Sequence, residues 1–159
     1  MGRSKDRRAD ELHRALDDPD ERLRAGAAAE LARRGDAGAL AACVRTIDDN
    51  PDAGHLDFTP ASRALGAMGL RAVPALLELL LAAREDTRLR AQHALTRIIY
   101  EQHGYDMARG FPTAAAEDAA RSDLRMAGYD FQAGTEEREA AVRRLQRWYE
   151  RATAAQLSL

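Results

Sequence analysis

Four histidines, one cysteine and a run of aspartates are the residues of this 159-residue chain whose types suit chemistry. Imidazole and thiolate groups ligate transition metals from short, repeated spacings such as His-x-x-x-His or Cys-x-x-Cys. His13, His55, His93 and His103 follow no such spacing. His93 and His103 fall ten residues apart on one predicted helix. By helical rise that is about 15 Å, too far to share a metal ion. Cys43 has no second cysteine to pair with, and its neighbours Leu40, Val44 and Ile47 predict a buried core thiol, not a nucleophile. The acidic segment with Asp48, Asp49, Asp52 and Asp57 lacks the alternating Asp-x-Asp-x-Asp-Gly order and closing glutamate of a calcium loop, so it reads as a solvated loop. Phosphate-cradling glycine loops and the Gly-x-Ser-x-Gly elbow of hydrolases are missing from the sequence. The residues therefore predict no metal, no cofactor and no catalytic constellation.

Aromatic side chains are the remaining candidates, because Tyr and Trp anchor many interfaces. Seven of the eight aromatic residues (Tyr100, Tyr105, Phe111, Tyr129, Phe131, Trp148 and Tyr149) lie beyond residue 99. Two readings stand side by side: a capping core that closes an otherwise alanine-rich interior, or a pocket. Two Gly-Tyr-Asp segments, at Gly104 and Gly128, fit either.

The elements that must position these residues are helices. Strand signals are nearly absent, with no β-branched runs and no Asn-Gly or Asp-Gly hairpin turn between alternating segments. Asp18-Pro19-Asp20-Glu21 reads as an N-cap, an N1 proline and a first turn of acids. The helix it opens carries Leu23, Ala27 and Leu31 on one face and stops at Gly35. A second short helix spans Ala37 to Ile47, and the acidic loop follows. Thr59-Pro60 is another cap and N1 pair. Pro74 is tolerable in the first turn of the following helix, where its missing N–H has no partner to lose. Asp86 or Thr87 caps a helix carrying Leu89, Ala94, Leu95 and Ile98 that ends at Gly104. Thr113 is a further cap, and Thr135-Glu136-Glu137 opens the last helix, with Val142, Leu145, Trp148 and Tyr149 on its apolar side. Arg22-Leu23-Arg24-Ala25 recurs as Arg88-Leu89-Arg90-Ala91, 66 residues on, which marks an internal repeat.

Composition narrows the class. The chain is 45% hydrophobic, but much of that is alanine and only 5% of all residues are aromatic. Alanine favours helix and close helix contact while contributing little burial, so many small contacts must build the core. All basic residues but Lys5 are arginine, yet the formal net charge is −2, without the basic surplus of a nucleic-acid-binding domain. Arg3, Lys5, Arg7 and Arg8 read as a solvated N-terminal tail. Apolar runs such as Leu79 to Ala83 are far too short for a membrane span. No apolar signal segment opens the chain, so a cytoplasmic location is expected.

With these units in place, the sequence resembles the HEAT-repeat family. Arg63-Ala64-Leu65-Gly66 through Ala72-Val73-Pro74-Ala75-Leu76-Leu77-Glu78-Leu79-Leu80 is similar to the family's helix–turn–helix unit. Asp20 to Val44 resembles a second unit and Asp86 to Ile98 the first helix of a third, so the likeness covers roughly residues 18–103. The segment Gly128 to Trp148 is similar to the terminal helix of some bacterial HEAT-like proteins. The long Asp48–Asp57 loop and the irregular Gly104–Gly134 region depart from the pattern. The resemblance implies a short right-handed α-α superhelix whose second helices line a concave surface. Most members bind proteins, whereas some HEAT-like proteins are chromophore lyases or DNA glycosylases.

The expected organisation is an N-terminal basic tail and short helix (1–17), repeats (18–104), an irregular region with one helix (105–134) and a capping helix (135–159). The expected function is protein–protein interaction on the concave face, through Arg45, Glu78, Arg84, Arg121 and Arg125, with Tyr105 and Tyr129 as aromatic candidates. An enzyme or ligand-handling protein with a pocket at the aromatic end, and a regulatory or immunity-type protein that occludes one partner, are the alternatives.

Overall fold

The structure, a computed structural model, describes the backbone of residues 2–158 and the side chains of residues 7–158. Among them the fold is all-helical: α1 (Gly2–Ala15), α2 (Glu21–Arg33), α3 (Ala39–Arg45), α4 (Pro60–Ala67), a 3-10 turn at Gly69–Ala72, α5 (Val73–Leu79), α6 (Glu85–Gln102), α7 (Ala114–Ala127) and α8 (Thr135–Leu157). Arg7 and Arg8 of the expected basic tail are exposed on α1, while the side chains of Arg3 and Lys5 lie outside the described residues. No described helix is long and apolar enough to cross a membrane.

Helices α2, α4 and α6 pack in sequence. Helix α3 bridges α2 and α4, α5 lies on α6, and α1 covers α2; α7 packs on α6 and α8, and α8 returns to α5. Small residues permit this spacing. A Cβ added to Gly66 of α4 would stand 3.0 Å from Arg97 Cδ and 3.6 Å from the Ala94 carbonyl of α6. The core couples fully buried alanines with a few large side chains, chiefly Leu31, Leu65, Leu76, Leu80, Ile98 and Ile99. Each such side chain contributes about 2 kcal/mol on burial, so a single Leu→Ala change here removes much more than any one alanine contact supplies.

Several helix starts differ from expectation. Helix α2 is capped by Asp20, whose side chain accepts from Arg22 N, whereas Asp18 accepts from Asp20 N just outside the helix. Neither Asp86 nor Thr87 caps α6; Arg84 occupies that position without a side-chain cap, and the buried Thr87 hydroxyl donates instead to Asp48 Oδ2 at 2.6 Å. At α4 the expected Thr59 cap forms as a reciprocal box with Ser62. Leu23, expected to face inward, is 54% exposed.

An arginine recurs at the fourth position of α2, α4, α6 and α8: Arg24, Arg63, Arg88 and Arg138. From there the long side chain folds back on the turn that precedes its helix. Arg24 Nη1 donates to the carbonyls of Asp18 and Pro19, and Arg88 Nη1 to those of Ala82 and Ala83. Arg138 donates to the Ala133 carbonyl, and Arg63 lies on the Phe58 ring, 4.6 Å from its centroid.

The acidic segment is anchored, not merely solvated. Asp49 accepts two bonds from Arg24, at 2.8 and 2.9 Å, which hold the Arg24 guanidinium above its ordinary pKa. Asp48 accepts from the buried Arg90 at 2.6 Å, and Asp57 pairs with His93 at 2.9 Å. The two Gly-Tyr-Asp segments share one structural use. Gly104 and Gly128 end α6 and α7 with φ of +81° and +60°, and the aspartate carboxylates then cap the backbone of the next turns.

Candidate functional site

The clearest open site lies between α4 and α6. The Thr59 box starts α4 and leaves Phe58 just ahead of it, at the mouth of a cleft of about 320 Å³. On the far side, the left-handed turn at Gly104 brings Tyr105 back against Tyr100, with ring centroids 5.7 Å apart, and Phe111 packs on both. His93 stands edge-on to Phe58 at 5.2 Å. Arg63 and Arg97 line the same cleft, together with Met107, which is 69% exposed. The lining holds no carboxylate; Asp52, Asp57 and Glu101 pair from outside it with Arg63 (3.5 Å), His93 (2.9 Å) and Arg97 (2.8 Å).

A second groove, of about 460 Å³, runs between α2 and α4. Its floor is Ala29, Ala32, Ala64 and Met68, with Ala67 on its rim and Arg33 and Arg71 at its edges. Arg63 and Ala67, both exposed on α4, form the ridge between the two openings. Arg33 is held by Glu30, which also binds Arg34; those bonds lower the Glu30 carboxyl from 4.5 to about 2. Arg71 has no carboxylate within ion-pair distance among the described residues, and its guanidinium rests 3.8 Å from Met68 Sδ.

A third opening, of about 530 Å³, lies where α6, α7 and α8 meet. Asp123 Oδ2 accepts from His103 Nε2 at 2.8 Å and from the Trp148 indole at 3.0 Å. A His–Asp pair can orient a general base, but no serine, threonine or cysteine lines this opening to serve as its nucleophile. The indole also occupies the carboxylate, so the node works as a clamp joining three helices. Tyr129 lines a small inner cavity of about 110 Å³, and its hydroxyl donates to the Leu80 carbonyl at 2.6 Å. Burial pushes its pKa up to about 12. Cys43 is fully buried, with its thiol raised to about 11 by desolvation. Among the described residues, no group of three His, Cys, Asp or Glu side chains is placed to hold a metal ion.

The residues singled out from the sequence are dispersed. Arg45 of α3 bonds the Leu16 carbonyl and pairs with Asp17, and Glu78 is exposed on α5. Arg84 reaches Asp48 at 3.3 Å and Asp86 at 3.8 Å, ahead of α6. On α7, Arg121 pairs with Glu117 at 2.6 Å and Arg125 is exposed. Tyr105 lines the α4–α6 cleft and Tyr129 the inner cavity; no two of these seven residues share an opening described above. Phe58, Arg63, Arg97 and Met107 were not legible as a group. The available signal was Phe58, the one aromatic residue before Tyr100, placed directly ahead of the Thr59-Pro60 cap.

Comparison of the chain with protein-family models, curated proteins and solved structures gives no match.

Proposed function

We propose that this chain is a protein-interaction module built on a short HEAT-like superhelix. In this reading α2 with α3 and α4 with α5 are its helix pairs, α6 opens a third, and α7 and α8 close the array. The observation that carries the reading is the pair of open grooves on either side of α4, floored by apolar side chains and edged by arginines. Interface cores are built from apolar and aromatic groups with arginine, the same chemistry that these grooves expose. No residue of α3 or α5 lines either groove. The proposed contact face is therefore that of the first helices, α2, α4 and α6, and not the second-helix face that the resemblance implies. The cytoplasm suits such a module, since a lone thiol such as Cys43 stays reduced there.

The test is an affinity pull-down from native host lysate with mass spectrometry, using three baits. These are the wild type, Arg63→Glu/Arg97→Glu in the cleft, and Arg84→Glu/Arg121→Glu/Arg125→Glu away from it. One protein enriched by the wild type and lost only with the first variant supports the reading. Loss only with the second moves the interface to the other surface. If no protein is enriched by any bait, the interaction reading fails.

A further inference from the structure

Resting on the interaction-module reading, we propose that the two grooves flanking α4 take one acidic, extended peptide segment of the partner, with an apolar side chain seated in the α4–α6 cleft. Charge is the first argument. The chain as a whole is formally −2, yet the two groove linings carry four arginines, Arg33, Arg63, Arg71 and Arg97, and no carboxylate. Arg33 is bound twice by Glu30, but the other three are held loosely, incompletely or by no carboxylate. Arg63 meets Asp52 only at 3.5 Å, with both side chains about half exposed, so an incoming carboxylate can displace it at little cost. Arg97 binds Glu101 through Nε, which leaves Nη2 for a ligand, and Arg71 has no carboxylate partner among the described residues.

Shape and apolar chemistry supply the second argument. The α4–α6 cleft has aromatic walls in Phe58, Tyr100 and Tyr105 and the mostly exposed Met107 beside them, a seat for one leucine- or phenylalanine-sized group. The α2–α4 groove is floored by alanine, shallow enough for a backbone to lie across it. A strand of a single-stranded nucleic acid would also meet arginines, but it needs free ring faces on which to stack bases. Here one face of Phe58 is covered by the Arg63 guanidinium, Tyr100 packs edge-on with Tyr105 and Phe111, and those two rings are tilted against each other. The grooves therefore favour an acidic peptide.

The experiment is display of random-sequence peptides against the immobilised full chain, followed by fluorescence anisotropy of labelled winners. Peptides combining Asp or Glu with one large apolar residue are expected to be enriched. Their affinity should fall about tenfold or more with Arg63→Glu/Arg97→Glu and with Arg71→Glu, as expected for losing charge-assisted contacts. It should also weaken with added salt. Arg143→Glu/Arg147→Glu, exposed on α8, should leave binding unchanged, and circular dichroism should show all variants folded. Enrichment of neutral or basic peptides, no enrichment, or winners insensitive to the groove variants each overturns the proposal. In the last case the interaction-module reading survives, because peptides bind at another surface. Labelled single-stranded DNA serves as the competing probe; arginine-dependent binding of it without peptide binding overturns the proposal in favour of a nucleic-acid groove.

Discussion

Arg24 and Arg88 hold the same place in two successive parts of the chain. Each is the fourth residue of its helix, and each sends Nη1 to the carbonyls six and five residues earlier. Each also ties in a later segment, Arg24 through Asp49 and Arg88 through a 2.8 Å bond to the Phe131 carbonyl. One side chain thus fixes the turn entering its own helix and a segment that follows the next helix. The structural equivalents lie 64 residues apart, because α2 starts at Glu21 and α6 at Glu85.

The first prediction concerns this clamp. Arg88 is 7% exposed, and Arg88→Met takes the charged donor from three part-buried carbonyls. The expected loss is about 3 kcal/mol, since buried bonds to charged donors are among the costly ones to remove. Arg63→Met, at a half-exposed site, should shift stability by less than about 0.5 kcal/mol. Urea unfolding of both variants decides the matter; equal effects would show that the fourth-position arginines are not the pins described.

This clamp also shows where the sequence misleads. The repeated Arg-Leu-Arg-Ala text matches Arg24 with Arg90, two residues out of structural register. Arg90 serves a different purpose, donating to Asp48 and to the Leu56 carbonyl. Helix class, the Thr59 and Thr113 caps and the glycine stops are legible because each rests on contacts within one turn. Ala27 and Leu31 are buried as their four-residue spacing suggests, but Leu23, one turn earlier at the start of α2, lies beyond the part of that face that the core covers. Buried Arg88 and Arg90 are illegible in principle: an arginine is read as surface until the distant carbonyls that satisfy it are known. The cleft is hidden for a like reason, as Phe58 and Tyr105 are far apart in the chain and meet only through α6.

Tyr129 gives a second prediction. Its hydroxyl supplies the Leu80 carbonyl at the end of α5, where the helix leaves its last acceptors unpaired. Tyr129→Phe keeps the ring and should cost about 1–2 kcal/mol through the stranded carbonyl. Gly128→Ala, just before it, should cost about 1 kcal/mol because φ there is +60°. Chemical denaturation of the pair checks both values, and a neutral Tyr129→Phe would mean that solvent reaches the carbonyl.

Trp148 is the single tryptophan, so its fluorescence reports on the Asp123 node without interference. Asp123→Ala removes the acceptor shared by the indole and His103, and should destabilise the chain by about 1–3 kcal/mol. The emission maximum of the folded variant should shift, because the indole N–H must find water or remain unpaired. An unchanged spectrum and unchanged stability would remove Asp123 from its role as the clamp of α6, α7 and α8.

Cys43 should be inert in the folded chain. Its thiol is buried and raised to about 11, so almost no thiolate is present at pH 8. A thiol-reactive chromogenic disulfide should label it only after unfolding, with one equivalent released in denaturant. Rapid labelling of the native protein would show that α2 and α3 part readily.

The last prediction is a pH dependence with a defined sign. Arg33 and Arg34 hold the Glu30 carboxyl down from 4.5 to about 2 in the folded chain. A group whose folded pKa is depressed contributes stability that is complete above its unfolded value and is lost as pH falls toward the folded one. The stability difference between wild type and Glu30→Gln should thus be constant at neutral pH and shrink as pH drops from about 4.5 to about 2. The site is at the surface, so added salt should reduce the difference as well. Urea titrations across that range measure it directly. A gap that stays constant down to pH 2 would show that Glu30 acts through its polar contacts and not through its charge, and the α2–α4 groove would then keep Arg33 in place without the carboxylate.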